Sequence, residues 1–238
     1  MTISQLNKLP LYWEMANAEK IALLNLLTSL KPEIVIEIGT RKGGSLQLIS
    51  ALSSAVYCLD IDPSVELLGS EFLNVQFIIG DSKDTLPELL RELNNRHEQP
   101  DFILIDGDHS TQGVKKDIES IMESKITKPL SILMHDSFNP SCRKGMLEAN
   151  YSLNPHVEII EIDFIQGTFS PSETTRGEMW GGFGFVYVNP AVSNPNPVIK
   201  QSSGYSFERV FKLSNHYYSN RSSVLDRIKS YLFRKIFQ

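Results

Sequence analysis

The feature that most constrains the fold is a regular alternation between short apolar runs and longer amphipathic segments. The apolar runs are IVIEI (34–38), AVYCLD (55–60), VQFIIG (75–80), DFILID (101–106) and LSILMHD (130–136). The segments between them, 44–53, 63–69, 83–93 and 113–124, are long enough for crossover helices. Such alternation is typical of βαβ units whose parallel strands are buried on both faces. We therefore predict an α/β protein with a doubly wound, Rossmann-like sheet.

Two further apolar runs follow the five predicted parallel strands. They are HVEIIEIDF (156–164) and GFGFVYV (182–188), and a polar loop separates them. This pattern predicts a C-terminal antiparallel strand pair beside the parallel set, with the spatial order 3-2-1-4-5-7-6. Leucines and isoleucines at helical spacing over 16–30 predict a packing helix ahead of the first strand.

The end of the chain differs in composition from the rest. Residues 191–205 are rich in Asn, Pro and Ser, which predicts a linker between a domain at 1–190 and a basic, partly helical tail at 206–238. From residue 200 onward the chain has eight Lys or Arg against two acidic residues, and 224–237 has the pattern of a basic amphipathic helix. Two interpretations stay open: the helix packs on the domain or in a homodimer, or it docks to a protein partner or membrane surface.

Overall composition excludes several function classes. A formal net charge of −5 argues against a general nucleic-acid binder, which needs a basic surface to neutralise phosphates. No run approaches the roughly 18–20 apolar residues of a transmembrane segment, and no leader pattern is present. Cys58 and Cys142 are far apart and have no metal-ligand spacing, so we predict reduced thiols. We expect a cytoplasmic protein that acts on small molecules.

The first strand runs into the glycine-containing loop EIGTRKGGS (37–45). Gly39 would permit a tight turn, and Gly43 and Gly44 would let a ligand approach the N-terminus of the next helix. Arg41 breaks the Gly-x-Gly-x-x-Gly spacing of dinucleotide-binding loops. Ser45 stands where a phosphate-binding Walker loop has Lys.

Acidic residues follow the next two strands. Asp60, in LDIDP, lies about twenty residues after the loop, where a carboxylate can accept hydrogen bonds from ribose hydroxyls. Asp81 and Ser82, in IIGDS, have two open interpretations: they face an adenine edge, or they cap the following helix.

The densest group of titratable residues follows the fourth and fifth strands. Asp106, Asp108 and His109 end one strand, and His135 and Asp136 end the next. The carboxyl ends of parallel strands meet at one edge of the sheet, so these side chains are expected in one cleft. Carboxylates this close favour a bound cation, either a divalent metal or a positively charged ligand.

Taken together, EIGTRKGG, LDIDP, GDS and IDGDHSTQGVKKD resemble the class I S-adenosylmethionine-dependent methyltransferases. The resemblance is to the small-molecule O-methyltransferase branch, which includes macrolide-sugar methyltransferases and cephalosporin-hydroxylase-like proteins, and it covers about 16–190. It implies that the domain moves a methyl group from S-adenosylmethionine to a hydroxyl of a small molecule such as a sugar or natural product. The alternative is a non-catalytic S-adenosylmethionine-binding partner in a tailoring or glycan pathway.

The resemblance also implies roles for individual residues. His109 would be the catalytic base, assisted by Asp106. In relatives that use magnesium, an acidic residue stands at the position of His135, and this exchange counts against Mg²⁺. A divalent metal held by Asp106, His135 and Asp136 stays open beside a packed His135 with Asp136 orienting the base. The cofactor-binding residues would be Glu37, Gly39, Thr40, Gly43, Ser45, Asp60, Ile61, Asp81, Ser82 and Asp106.

Loops at the carboxyl edge of the sheet commonly carry specificity. The segments 138–151 and 166–180 are therefore expected to form the walls of the acceptor site, with Arg143, Arg176 and Trp180 as candidate contacts.

Overall fold

A computed structural model describes residues 3–6, 8–170 and 172–219. The strands are β1 Ile34–Ile38, β2 Ala55–Asp60, β3 Val75–Ile79, β4 Phe102–Ile105, β5 Leu130–His135, β6 Val157–Ile165, β7 Thr168–Phe169, β8 Met179–Trp180 and β9 Phe183–Val188. The α-helices are α1 Ile3–Leu6, α2 Asn17–Leu30, α3 Leu46–Leu52, α4 Ser82–Asn95, α5 Thr111–Glu123, α6 Pro140–Glu148, α7 Gly204–Phe211 and α8 Asn215–Ser219. Two 3-10 helices span Pro63–Ser70 and Tyr151–Leu153.

Seven strands form one sheet in the order β3-β2-β1-β4-β5-β9-β6. The first five are parallel, and β9 is antiparallel to both β5 and β6. The predicted fold class and strand order are confirmed, with β9 as the seventh strand of the expected order. The carboxyl ends of β1 to β5 therefore share one edge, which collects the predicted site residues.

Helices cover both faces of the sheet because successive strand residues point in opposite directions. Ile36 and Ile38 of β1 belong to one hydrophobic cluster, with leucines of α4 and isoleucines of α5. Val35 of β1 belongs to the other cluster, with Leu23 and Leu27 of α2. This two-sided burial is the reason that β1 lacks alternating polarity.

The structure differs from the predicted elements at two places. Segment 63–69, predicted as a helix, is the 3-10 helix Pro63–Ser70. The loop expected over 138–151 contains α6, whose first turn is capped by the Asn139 carboxamide, which accepts from the N–H groups of Ser141 and Cys142. Pro140 at the first helical position favours the same start, a signal that the loop interpretation overlooked.

The segment that we predicted as a linker hydrogen-bonds to β6 in its last part. Lys200 donates its N–H to Ile160 O, and Ile162 donates to Lys200 O, each over 3.0 Å. Helix α7 begins at Gly204, within the last two residues of this segment, and α8 follows α7. The amphipathic helix predicted at 224–237 lies outside the described residues, and the division into domain, linker and tail stays a prediction.

Cys58 and Cys142 are free and buried, as predicted. Burial raises the pKa of both thiols, which keeps them protonated at neutral pH. In the part of the chain that the structure describes, no helix has the length and apolar character needed to cross a membrane.

Asp117 is a buried carboxylic acid on α5. Burial raises the pKa of Asp117 to about 6, a shift that a hydrogen bond with Ser82 partly opposes. Its Oδ2 atom is buried without a hydrogen-bond partner. The folded protein therefore binds the Asp117 proton more tightly than the unfolded chain does, so this residue's contribution to stability decreases as pH rises from about 4 to 6.

We predict that Asp117→Asn stabilises the protein above pH 7. The free energy of unfolding is expected to exceed that of wild type by up to about 3 kcal/mol at pH 8. At that pH the wild-type protein has to bury an ionised carboxylate, whereas the amide of the variant stays neutral. Near pH 4 the two proteins should differ much less. Urea unfolding at both pH values measures this difference. An equal difference at the two pH values would contradict the prediction.

Candidate functional site

The loop after β1 passes very close to the end of β4. Gly39 has a φ of 84°, and a Cβ atom there would lie 2.2 Å from the backbone oxygen of Asp106. The Gly39 N–H also donates to Leu59 O over 2.8 Å, which ties the turn to the end of β2. Only glycine fits this position without moving the backbone.

Glu37 supports the same loop from beneath. Its carboxylate accepts hydrogen bonds from the Thr40 hydroxyl over 2.6 Å and from the Ser45 hydroxyl. Burial raises the pKa of Glu37 to about 7, although these two hydrogen bonds act in the opposite direction. Glu37 has no exposed surface. The observed contacts of Glu37 therefore hold the loop 39–45 in shape. Direct contact of Glu37 with a cofactor stays a prediction.

Asp60 organises the outer part of this loop. Its Oδ2 accepts from the backbone N–H groups of Thr40 and Arg41, each over 2.9 Å, and its Oδ1 accepts from the Asp62 N–H over 2.9 Å. A carboxylate oxygen has two lone pairs, so Oδ1 can accept one further hydrogen bond from a ligand hydroxyl. Ile61 beside it is 72% exposed, which leaves an apolar surface at the sheet edge.

Asp81 caps α4, which is one of the two interpretations of IIGDS. Its carboxylate accepts from the Lys83 N–H over 3.0 Å and pairs with the Lys83 ammonium over 2.7 Å. These interactions with Lys83 lower the pKa of Asp81. Ser82, the first residue of α4, hydrogen-bonds to Asp117. Contact of either residue with adenine stays a prediction.

The other two loop glycines pack against protein. A Cβ atom at Gly43 would lie 2.9 Å from Leu11 Cδ1, and one at Gly44 would lie 2.8 Å from Tyr12 O. The N-terminal segment is held there by Gln47, which accepts from the Leu11 N–H and donates to Leu11 O, both over 3.0 Å. Space that we assigned to a ligand beside these glycines is thus occupied by residues 11–13.

Asp106, His109 and Asp136 form the compact polar group of the site. His109 Nε2 lies 3.2 Å from Asp136 Oδ2 and 3.6 Å from Asp106 Oδ1. Asp136 has a φ of 57°, which is uncommon for a residue with a side chain. Its Oδ1 accepts a 2.6 Å hydrogen bond from the Gly181 N–H. Fold topology thus brings residues from β4, β5 and the β8–β9 turn together.

His135 lies deeper, behind this group. Its Nδ1 is 2.8 Å from Asp106 Oδ1 and 3.5 Å from Asp136 Oδ2, and its Nε2 is 3.3 Å from Glu19 Oε1. Glu19 belongs to α2 and was not among the predicted site residues. Its position in an ordinary amphipathic helix gave no sequence signal beyond a charged residue that the fold buries.

Both imidazoles have elevated pKa values. Interaction with the Asp106 carboxylate raises the pKa of His109, with burial acting against it and the Asp136 charge adding to it. Burial alone would lower the pKa of His135, but the charges of Asp106 and Asp136 outweigh burial and raise it well above its usual value. The His135 charge in turn lowers the pKa of Asp136 against the opposing effect of burial.

Donor atoms of Asp106, His109 and Asp136 all lie within 4.8 Å of one another, so they can converge on one divalent cation. This group of possible metal ligands contains His109, whereas the sequence analysis named His135 as the histidine ligand. Both ring nitrogens of His135 lie beside carboxylates instead. Two carboxylates and one imidazole suit Mn²⁺ or a similar ion that accepts mixed oxygen and nitrogen ligands better than they suit Mg²⁺. A metal role for His135 stays a prediction.

Segment 166–180, expected to form a wall of the acceptor site, contains β7 and β8, and its role as a wall stays a prediction. The Trp180 ring meets the His109 ring edge to face, with centroids 5.4 Å apart. Arg143, by contrast, is buried against Asp163, with Nη1 to Oδ1 at 2.7 Å, so it is wrong as an acceptor contact. The Arg176 backbone oxygen accepts from the Asn215 side chain, which ties loop 166–180 to α8.

Residues 36–137 match the sequence family described as a methyltransferase domain. Residues 36–137 thus have the sequence pattern of a methyltransferase domain. This match confirms the resemblance to methyltransferases that the motifs indicated, and its range includes all of the predicted catalytic, cofactor-binding and metal-binding residues. No curated protein sequence gives a significant match to the chain.

Solved structures share the fold of this methyltransferase domain. An O-methyltransferase from Bacillus cereus in complex with S-adenosylhomocysteine has 19% identity and a TM-score of 0.54, over 79% of this chain and 89% of that one. MycE, from the mycinamycin biosynthetic pathway, in complex with Mg and S-adenosylhomocysteine, has 16% identity and a TM-score of 0.51. That alignment covers 90% of this chain and 55% of MycE. These low identities show a shared fold alone.

We predict that Gly39→Ala destabilises the methyltransferase domain by about 3 kcal/mol or more, because the methyl group meets the Asp106 backbone and the φ is positive. Gly69→Ala is the matched control, since a Cβ there makes only an ordinary 3.8 Å contact with Phe77. Urea unfolding followed by tryptophan fluorescence measures both variants. Equal stability of Gly39→Ala and wild type would show that the two strand ends do not approach this closely.

We also predict that Asp136→Asn weakens Mn²⁺ binding at least tenfold, a loss of about 1.4 kcal/mol. Calorimetric titration with MnCl₂ is the measurement. Asp108→Asn is the control, because the Asp108 carboxylate accepts from the Ser110 N–H and hydroxyl and is outside the convergent donor group. Equal Mn²⁺ affinity in wild type and Asp136→Asn would exclude Asp136 as a ligand.

Proposed function

We propose that the protein is an S-adenosylmethionine-dependent O-methyltransferase acting on a hydroxyl of a small molecule, such as a sugar or a natural product. The observation that carries this proposal is the position of His109. This imidazole is 44% exposed at the carboxyl edge of the sheet, and two carboxylates lie within 3.6 Å of it. The methyltransferase match and the glycine loop after the neighbouring strand β1 support a cofactor beside it.

S-adenosylmethionine supplies an electrophilic methyl group, which the acceptor oxygen displaces in line. The turn at Gly39 and Thr40 and the Asp60 carboxylate bind the cofactor in this proposal, with the remaining Oδ1 lone pair of Asp60 accepting from a ribose hydroxyl. The exposed Ile61 side chain packs against the adenine ring. The cofactor thus lies along the carboxyl ends of β1, β2 and β3, next to the His109 group.

His109 takes the proton of the acceptor hydroxyl as the new bond to carbon forms. A raised pKa makes its neutral ring a stronger base, and Asp106 and Asp136 stabilise the imidazolium that results. The 5.4 Å edge contact with Trp180 restricts the ring orientation. Alignment of the hydroxyl with the methyl group is the other large contribution to rate.

A divalent ion at this position would supply Lewis acidity to the acceptor hydroxyl. His109 cannot use Nε2 both as a ligand and as a base. In this proposal Asp106 and Asp136 are therefore the residues that hold a cation, and the imidazole keeps its role in proton transfer.

Calorimetric titration with S-adenosylhomocysteine tests the cofactor site first. We expect micromolar binding in wild type and at least a tenfold loss in Asp60→Ala, or about 1.4 kcal/mol. Asp62→Ala is the matched control, because Asp62 caps the adjacent 3-10 helix through the Ser64 N–H and does not contact the loop amides of Thr40 and Arg41. Absence of binding to wild type would overturn the proposal.

Catalysis is tested separately from binding. With S-adenosylmethionine and a panel of sugars and catechols, S-adenosylhomocysteine formation is expected in wild type and to fall at least about a hundredfold in His109→Ala. Affinity for S-adenosylhomocysteine should change little in this variant. Binding without turnover of any panel member would favour the non-catalytic partner in a tailoring or glycan pathway.

A further inference from the structure

Glu19 is a buried carboxylate that none of the predicted roles uses. It lies in the first turn of α2 and is 2% exposed. Its Oε2 accepts from the Ala16 N–H in the same turn, and its Oε1 accepts from the Gly182 N–H, which is 163 residues away in sequence. A carboxylate this buried requires partners, because an isolated charge in the interior is strongly unfavourable.

The third partner of Glu19 is the His135 ring. Nε2 of His135 lies 3.3 Å from Glu19 Oε1, which is within ion-pair distance but lacks hydrogen-bond geometry. The other ring nitrogen, Nδ1, lies 2.8 Å from Asp106 Oδ1. The imidazole therefore bridges Glu19 on its buried side and Asp106 on the side of the cleft.

Glu19 also holds the turn that orients Asp136. Gly182 donates to Glu19, and its neighbour Gly181 donates to Asp136 Oδ1 over 2.6 Å. Gly181 has a φ of 72° and Gly182 has a φ of 80°. A Cβ atom at Gly181 would lie 2.6 Å from Glu19 Oε1. Replacing Glu19 would thus release the ring that faces Asp106 and the turn that faces Asp136.

We propose that Glu19 is a positioning residue for methyl transfer, which acts through His135 and the Gly181–Gly182 turn to hold Asp106 and Asp136 around His109. This inference rests on the proposed function of that site. It gives α2, predicted only as a packing helix, a direct connection to the chemistry. Residues 11–13, which pack against Gly43 and Gly44, precede α2 in the chain.

Nuclear magnetic resonance of ¹⁵N-histidine-labelled protein tests this proposal without an acceptor. We compare wild type, Glu19→Gln, Glu19→Asp and Gln99→Ala, and assign the ring signals with His135→Gln and His109→Gln. Gln99 is also buried and bonds the backbone at Thr127 and Lys128, away from the site, so its variant controls for lost stability.

We expect Glu19→Gln to shift the ring ¹⁵N resonances of both His135 and His109, and Glu19→Asp to restore them in part. Gln99→Ala should leave both rings at their wild-type positions even where it destabilises the protein more. Unchanged His135 and His109 resonances in Glu19→Gln would overturn the proposal, as would equal shifts in Gln99→Ala.

Binding of S-adenosylhomocysteine separates this inference from the proposed function. Glu19→Gln should keep the wild-type affinity within about threefold, because the loop contacts of Asp60 do not involve it. Failure of the wild-type protein to bind S-adenosylhomocysteine would refute the proposed methyltransferase function. Unchanged ring ¹⁵N resonances in Glu19→Gln would refute only the positioning role of Glu19.

Discussion

The contact between the His135 ring and the carboxylates around it joins the ends of two neighbouring strands to a helix that packs on the sheet. His135 ends β5, Asp106 follows β4, and Glu19 comes from the helix that precedes the sheet. Charges buried this deeply are tolerated only when paired, so each group constrains the positions of the others. Asp106 and Asp136, which face the exposed imidazole of His109, are held in position by these buried contacts. They therefore fix the position of the His109 ring.

A second constraint is steric and lies between β1 and β4. The backbone of Asp106 leaves no space for a side chain at Gly39, which brings the glycine loop against the strand end that carries the polar group. Glu37 beneath the loop and Asp60 beyond it then fix the loop through hydroxyl and amide hydrogen bonds. This close approach places the two sites that we propose, one for a cofactor and one for proton transfer, next to each other.

Much of this arrangement could be predicted because it depends on local pattern and on topology. Apolar runs bounded by turn residues identified all seven strands of the main sheet, and the common direction of β1 to β5 placed Asp60, Asp106 and Asp136 at one edge. Elements that depend on caps or on distant pairing were missed. They include α6, where Asn139 and Pro140 start a helix in a polar sequence, and the short β7–β8 pair.

The sequence by itself determined the fold class, the strand order and the set of chemical groups at the carboxyl edge, because these follow from periodicity and from the direction of parallel strands. Only the tertiary structure decided which groups meet. It paired Arg143 with Asp163 away from the acceptor side, placed His109 between two carboxylates, and brought Glu19 to His135. The physical reason is that such contacts join residues far apart in the chain, and burial and side-chain direction, which no local pattern encodes, select the partners.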